Sequence, residues 1–243
     1  MADSYYNSVL TWDHILYSHN NQTLDAFSVL FYLAGLTKTA KLGTCVTPLP
    51  LRGPVNTAKL ISSLDMISNG RAILGIGAGW HKNEFDLFGL WTSTKDRVRA
   101  TREGITTISS LLKAVGSGRI KNRPHFECIQ SPHPPIWVGT KRPFMIKVAA
   151  SLADGWIPSN IESDEYHLLA DRIRSIRKAK KIERNFSFGY HMSGSRTPSS
   201  YIKKIDDLEK AGCEFIAIYP GGDQENYLAS LGTFAKDVIP CFS

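Results

Sequence analysis

Apolar positions along the chain follow two alternating patterns. Short apolar runs, typical of buried strands, occupy 8–12, 42–46, 71–76, 136–139, 155–158, 186–191 and 215–219. Between them, apolar residues recur every three or four positions, which predicts helices over 24–37, 55–67, 97–115, 144–152, 164–181, 199–211 and 226–238. Strands that alternate with long helices predict βα units and a parallel sheet.

The number of these units bears on the architecture. About seven strands occur in 243 residues, with no shift in composition that would mark a linker. Seven to eight βα units in one stretch favour a closed barrel over an open doubly wound sheet. We therefore predict an α/β fold and a single domain over 1–243.

Net charge changes this picture little. The chain carries a formal charge of +7, and its densest basic cluster lies at 172–184, where isoleucines rather than aromatic residues are interleaved. This pattern indicates the exposed face of a helix and not a surface on which nucleic-acid bases stack.

No apolar run approaches the ~20 residues that cross a bilayer, and the start of the chain is unlike a signal peptide. We expect a cytoplasmic protein with neither nucleic acid nor membrane as partner.

Cysteine and histidine spacing gives no sign of a metal. The four cysteines are far apart, with no Cys-x-x-Cys pair: Cys45, Cys128, Cys213 and Cys241. Widely spaced cysteines argue against both a zinc site and a disulfide framework. The histidines share no ligand spacing, so no metal site is predicted.

A glycine-rich turn follows the strand at 71–76. Gly75, Gly77 and Gly79 alternate with other residues, and Trp80 stands where a dinucleotide-binding fingerprint needs its third glycine. Two interpretations stay open. The glycines either permit a tight strand-to-helix turn or let a planar ring or a phosphate approach the backbone.

Several ordered blocks together resemble the luciferase-like monooxygenase superfamily, including its F420-dependent branch. The resemblance is strongest between Leu42 and Phe88 and moderate elsewhere. It rests on Trp12-Asp13-His14, on 42–48, Pro54, Asn56, Leu64-Asp65, Gly70-Arg71, 74–80 and Glu84-Phe85, and on 134–139 and 153–156.

The resemblance implies a TIM-like (β/α)8 barrel that holds FMN or coenzyme F420 at the carboxyl ends of its strands. Relatives begin with a further strand and helix, whereas only Met1–Asn7 precede the first strand here. We therefore expect a barrel that lacks the first βα unit, and a short insertion between Lys113 and Pro132. A homodimer is implied as a possible assembly.

Site residues follow from the same resemblance. Asp13 and His14 are placed beside the reactive edge of the cofactor ring, where a histidine can exchange a proton; the alternative is a histidine fixed by Asp13 for packing. Behind the ring, relatives have a bulge, often with a non-prolyl cis peptide, and the residues here are Gly43, Thr44, Cys45 and Val46.

Two further segments complete the predicted cofactor site. Gly79 and Asn83 follow the glycine-rich strand, and Asn83 either contacts the ring or satisfies amides at a helix start. The phosphate loop of relatives falls on Gly139, Thr140, Lys141 and Arg142, where Thr140 and Arg142 replace glycines.

These features lead to one preferred function and two alternatives. The paired cations Lys141 and Arg142 favour F420, whose side chain carries several negative charges. We predict an oxidoreductase that transfers hydride between F420 and a small organic substrate. The alternatives are an FMN-dependent luciferase-like monooxygenase and a truncated, non-catalytic homologue.

Overall fold

The computed structural model describes residues 2–16, 23–112, 125–194, 196–221 and 224–242. The chain divides into two compact units. The N-terminal unit is Asn7–Val138, and the C-terminal unit combines Asp3–Tyr6 with Gly139–Ser243. A single domain over 1–243 stays a prediction. The end of the helix predicted at 97–115 and most of the short insertion lie outside the described residues.

Parallel strands form the centre of the N-terminal unit: β1 (Ser8–Thr11), β2 (Lys41–Thr44), β3 (Thr47–Pro48), β4 (Ala72–Gly77) and β5 (Ile136–Val138). They pair in the order β1-β2-β4-β5, and β3 pairs with β4. Every residue of β4 is buried, as expected of a strand covered on both faces. Gly43 lets β2 lie close to β4, because a Cβ there would be 2.3 Å from the Ile73 carbonyl oxygen.

Helices of this unit include α2 (Ala26–Leu36), α3 (Leu49–Arg52), α4 (Pro54–Ile67), α5 (Lys82–Leu87) and α6 (Thr94–Leu112). Asp25 caps α2 by accepting a hydrogen bond from Ser28 N at 2.9 Å. At the other end of α2, the Arg71 guanidinium donates to the carbonyl oxygens of Ala34, Thr37 and Ala40. The bonds to Ala34 and Thr37 satisfy carbonyls that the end of α2 leaves without intrahelical partners, and the bond to Ala40 ties this helix end to the start of β2.

Two prolines follow the second predicted strand without interrupting regular structure. β3 forms at Thr47–Pro48 and α3 starts at Leu49, with a proline in its first turn. Proline is compatible with the first helical turn because its missing N–H has no partner there in any case. At the end of α4, Asn69 and Gly70 have positive φ and form the predicted turn.

The C-terminal unit repeats the alternation of strands and helices. It contains most of α1 (Ala2–Tyr5), then α7 (Pro143–Leu152), β6 (Gly155–Trp156), α8 (Ser163–Ala179), β7 (Ser187–Ser193), α9 (Pro198–Lys210), β8 (Phe215–Tyr219), α10 (Gln224–Asp237) and a 3₁₀ helix (Ile239–Phe242). β6, β7 and β8 are parallel and pair in that order. Tyr6 attaches the first residues to α10, because its hydroxyl donates to the Leu231 carbonyl oxygen at 2.8 Å.

The basic cluster lies on α8 and just beyond it, and most of its side chains are exposed. Arg177 is the exception. It is buried over the Phe186 ring, with its guanidinium carbon 4.6 Å from the ring centroid. Burial, together with the charge of Arg184, lowers the pKa of Arg177 below its ordinary value. Among the described residues, no helix is both long and apolar enough to span a membrane.

Candidate active site

The polar residues predicted at the site begin at the carboxyl ends of β1, β2 and β4. β2 pairs with β1 on one side and with β4 on the other. The carboxyl ends of parallel strands meet at one edge of a sheet, which is where barrel enzymes place their chemistry. The segments that follow these three strand ends therefore share one edge of the N-terminal unit.

His14 is held at this edge by Glu84. Its Nδ1 lies 2.9 Å from Glu84 Oε2, and the side chain is 16% exposed while that of Glu84 is 1% exposed. The other oxygen of Glu84, Oε1, accepts backbone hydrogen bonds from Ile15 and Leu16 at 2.6 and 2.9 Å. One carboxylate thus fixes both the imidazole and the backbone that follows it.

The charge of Glu84 is stabilised despite its burial. Burial alone would raise the pKa of the carboxyl, but hydrogen bonds from the Leu16 backbone, from His14 and from the Ile15 backbone outweigh it. The net result is a pKa below the ordinary value. A carboxylate that accepts several hydrogen bonds is expected to behave in this way.

Two residues before α5 complete this cluster. His81 Nδ1 lies 3.6 Å from Glu84 Oε2. The Trp80 ring makes edge contacts with both imidazoles, at centroid distances of 5.8 Å to His14 and 5.3 Å to His81. The structure therefore places two imidazoles, one carboxylate and an exposed indole together at the strand ends.

Asp13 has a different partner from its neighbour His14. The Arg52 guanidinium donates from Nε to both carboxylate oxygens of Asp13 at 3.1 Å and from Nη2 to Oδ1 at 2.5 Å. Nη2 also contacts Asp25 Oδ2 at 2.5 Å. Burial would lower the pKa of Arg52, but the bonds to Asp13 and Asp25 raise it above the ordinary value.

The segment 43–46 ends β2 and leads into β3. Its peptide bond between Cys45 and Val46 is cis, as the family resemblance led us to expect. Thr44 donates from its hydroxyl to the Gly75 carbonyl oxygen at 2.8 Å. Burial raises the pKa of Cys45 to about 12, so its sulfur is a thiol at neutral pH.

The glycine-rich turn is explained by close packing. A Cβ at Gly75 would lie 2.0 Å from the Thr44 carbonyl oxygen, and one at Gly77 would lie 2.7 Å from Val46 Cγ2. Gly79 has a φ of +78° and is covered by the Phe85 ring. Of the two interpretations, these contacts support the tight turn. Asn83, by contrast, is exposed in the first turn of α5.

The predicted phosphate loop belongs to the C-terminal unit, so the predicted site residues fall into two groups. Thr140 is the anchor of this loop: Trp156 Nε1 donates to its carbonyl oxygen at 2.7 Å, and Arg142 N donates to its hydroxyl at 3.0 Å. Lys141 Nζ donates to the Asn160 carbonyl oxygen at 3.2 Å. Lys141 and Arg142 are exposed immediately before α7.

Sequence reasoning missed the roles of two residues, Glu84 and Arg52. Glu84 had been noted only as part of the family string, although the spacing His81-x-x-Glu84 at a helix start was a readable signal, because residues three apart share a helix face. Arg52 lies between Pro50 and Pro54, and nothing in that pattern indicated its partner Asp13, 39 positions earlier.

Comparison with known proteins identifies the family. The sequence pattern of the family described as luciferase-like monooxygenase matches residues 6–206. The chain belongs to the luciferase-like monooxygenase family. Luciferase-like solved structures agree with the fold. A monooxygenase, RslO1, from Streptomyces bottropensis aligns over 100% of this chain and 91% of its own with a TM-score of 0.81 and 20% identity.

A second solved structure, the coenzyme F420-dependent tetrahydromethanopterin reductase from Methanopyrus kandleri, aligns over 93% of this chain and 90% of its own, with a TM-score of 0.74 and 21% identity. At such identities the likeness concerns the fold alone, and it confirms the predicted class, a TIM-like α/β barrel.

The curated relatives are longer than the matched region. The 5,10-methylenetetrahydromethanopterin reductase of Methanolobus tindarius is 31% identical over 190 residues, which is 74% of this chain and 53% of that protein. A phthiodiolone/phenolphthiodiolone dimycocerosates ketoreductase of Mycobacterium tuberculosis (strain H37Rv) is 30% identical over 151 residues, 58% of this chain and 39% of that protein. The match thus spans about half or less of each of these relatives.

Proposed function

We propose that this luciferase-like chain is an oxidoreductase that transfers hydride between coenzyme F420 and a small organic substrate. Family membership over 6–206 supports the reaction class. The observation that carries the choice of F420 is the pair of exposed cations, Lys141 and Arg142, at the start of α7. A polyanionic cofactor tail gains more from two adjacent cations than a single phosphate does.

Each unit offers candidate residues for one part of such a group. In the C-terminal unit, Lys141 and Arg142 would hold its anionic side, with Gly139 and Thr140 supplying backbone beside them. In the N-terminal unit, the segment 43–46, the turn at Gly79, and Asn83 are the candidates that we propose for contact with the ring. Thr47, next to that segment, is fully buried, and its hydroxyl has no hydrogen-bond partner among the described residues. A bound polar group would satisfy this hydroxyl.

When bound, F420 would supply the hydride chemistry. The protein's contribution is a proton at His14. His14 Nδ1 lies 2.9 Å from Glu84 Oε2, and Nε2 is the atom that we propose takes or gives the proton. A carboxylate on one imidazole nitrogen fixes the tautomer and the orientation of the ring. Asp13, buried and paired with Arg52, holds the backbone from which His14 extends.

Titration of the purified chain with F420 and, separately, with FMN tests this proposal. We expect saturable F420 binding that is weakened roughly tenfold by Lys141→Ala and again by Arg142→Ala, since a charge-assisted bond contributes on the order of 1.4 kcal/mol. Lys147→Ala is the matched control, because Lys147 is an exposed lysine within α7. It should leave the affinity unchanged.

The other outcomes decide between the alternatives. Tight FMN binding without F420 binding would replace the proposal by an FMN-dependent monooxygenase. Binding of neither cofactor by the folded chain would favour the non-catalytic homologue. Activity with a candidate substrate is measured afterwards, with His14→Gln expected to keep cofactor affinity and to lose turnover.

A cytoplasmic homodimer is the assembly we propose with this function. Helix α2 contains no charged residue and exposes Tyr32 (70%) and Leu36 (62%). Exposed apolar surface of this kind is typical of an interface. Tyr32→Lys should shift the mass in sedimentation from dimer to monomer, whereas Leu168→Lys, on the exposed face of α8, should not. A monomeric wild-type chain would refute the dimer.

A further inference from the structure

Three metal-ligating groups meet at the strand ends of the N-terminal unit. The nitrogen and oxygen atoms that His14, His81 and Glu84 would offer to an ion all lie within 4.8 Å of one another. Imidazole and carboxylate are the ligands that zinc and related divalent ions take in catalytic sites with two histidines and one glutamate. We propose that His14 Nδ1, His81 Nδ1 and Glu84 Oε2 bind one divalent transition-metal ion, for which zinc is the favoured occupant.

The distances are compatible with a bound ion as well as with the hydrogen bond between His14 and Glu84. Ligands at about 2.0–2.1 Å from a tetrahedral zinc are about 3.3–3.4 Å from each other. Glu84 Oε2 lies 2.9 Å from one imidazole nitrogen and 3.6 Å from the other, which bracket that value. A separation of 3.6 Å between His81 and Glu84 is too long for a hydrogen bond, yet it requires only a small adjustment to become a ligand pair.

The groups are also pre-oriented. Glu84 Oε1 is held by the backbone N–H groups of Ile15 and Leu16, which leaves Oε2 directed at the two imidazoles. Trp80 packs against the edges of both rings. Outer contacts of this kind fix the orientation of metal ligands and strengthen binding. The carboxylate is nearly fully buried while the histidines are 16% and 25% exposed, so an ion can reach the site.

The number of ligands defines the type of site. Three protein ligands leave at least one coordination position open, as in catalytic rather than structural zinc centres. That position would accept water or an oxygen atom of a small molecule. The inference concerns metal binding alone and does not depend on the proposed cofactor.

Zinc titration of the chelator-treated full chain tests the inference, with no cofactor added. We expect one ion per chain in competition with a chromogenic chelator. His81→Gln should weaken binding tenfold or more, because even loss of an outer partner of a ligand costs roughly 10–100-fold. His167→Gln is the matched control: His167 also pairs with a carboxylate, Asp171 at 3.4 Å, but on an exposed surface without a third ligand.

Cobalt substitution identifies the ligands independently. Cobalt in the proposed site should show ligand-field bands of nitrogen and oxygen ligation and no thiolate charge-transfer band. Stoichiometric binding that is unchanged in His81→Gln, a thiolate band from any of the four cysteines, or no stoichiometric binding would each overturn the inference. Matching circular dichroism of wild type and His81→Gln shows that a loss of binding is not a loss of fold.

Discussion

Replacing Arg52 by methionine should be among the most damaging single changes in the N-terminal unit. The substitution keeps much of the apolar stem but removes the guanidinium that bonds to Asp13. The Asp13 side chain has no exposed surface. Its carboxylate would then stay buried without its cationic partner, a state in which the cost of desolvation is no longer offset.

The two ion pairs of Arg52 contribute unequally. Loss of one partner from a buried ion pair costs about 3–5 kcal/mol of unfolding free energy. This figure applies to the pair between Arg52 and Asp13, because the Asp13 side chain is fully buried. The Asp25 side chain is 40% exposed, and a pair with such a partner contributes about 0–1 kcal/mol. A total near 3–5 kcal/mol corresponds to a fall in Tm of roughly 6–20 °C, at about 2–4 °C per kcal/mol for a chain of this size.

Urea unfolding of three variants measures this difference. Arg99→Met is the matched control, because Arg99 pairs with Asp96 at 3.0 Å on the surface of α6 with both side chains well exposed; it should lose no more than about 1 kcal/mol. Asp13→Asn combined with Arg52→Met should recover part of the loss, since no buried charge then remains. If Arg52→Met and Arg99→Met are equally stable, the argument from burial is wrong.

Two further predictions concern packing and pH. Gly75→Ala should lower the unfolding free energy by about 3 kcal/mol, because the added Cβ would lie 2.0 Å from a backbone oxygen. The control Gly35→Ala in α2 has nothing within 4 Å of the added Cβ, and it should raise the unfolding free energy by about 0.5–1 kcal/mol. Equal urea midpoints for the two variants would contradict this prediction. Burial lowers the pKa of His191 below its ordinary 6.5, so as pH falls below about 6.5 the unfolded chain binds a proton that the native chain does not, and stability declines. Urea midpoints between about pH 7.5 and 5.5 should show a smaller decline in His191→Gln than in wild type; an identical pH dependence would refute the assignment.

The sequence predicted the regular elements well because their signals are local. Each predicted strand and each predicted helix overlaps an observed element, and the strand at 215–219 matches β8 residue for residue. Each of these signals involves only residues that are close in sequence: the strand and helix periodicities, the helix caps and the Asn69-Gly70 turn. The elements that were missed, α1, α3, β3 and the 3₁₀ helix, have two to four residues, too few to show a period.

The side-chain partnerships could not be predicted in the same way. Asp13 and Arg52 are 39 positions apart, and His14 and Glu84 are 70 apart. Their pairing depends on which strands are neighbours and on how each chain segment leaves its strand, and single-sequence patterns carry no information about either. Without the position of Glu84, the sequence suggested Asp13 as the residue that fixes His14, whereas in the structure Asp13 bonds to Arg52.

The arrangement at the end of β1 explains why neighbouring residues have separate roles. Asp13 and His14 follow the end of β1, and each is held by a different helix, Asp13 by Arg52 of α3 and His14 by Glu84 of α5. The contact between Arg52 and Asp13 is a bidentate ion pair with a fully buried carboxylate. Breaking this ion pair is unfavourable, because the Asp13 charge would then stay buried without water or a cation to stabilise it. The second contact is a carboxylate facing two imidazoles that are partly exposed, and a proton or a metal ion can enter it without exposing a buried charge. The fold therefore fixes the backbone at Asp13, whereas the neighbouring His14 is placed where a proton or a metal ion can bind.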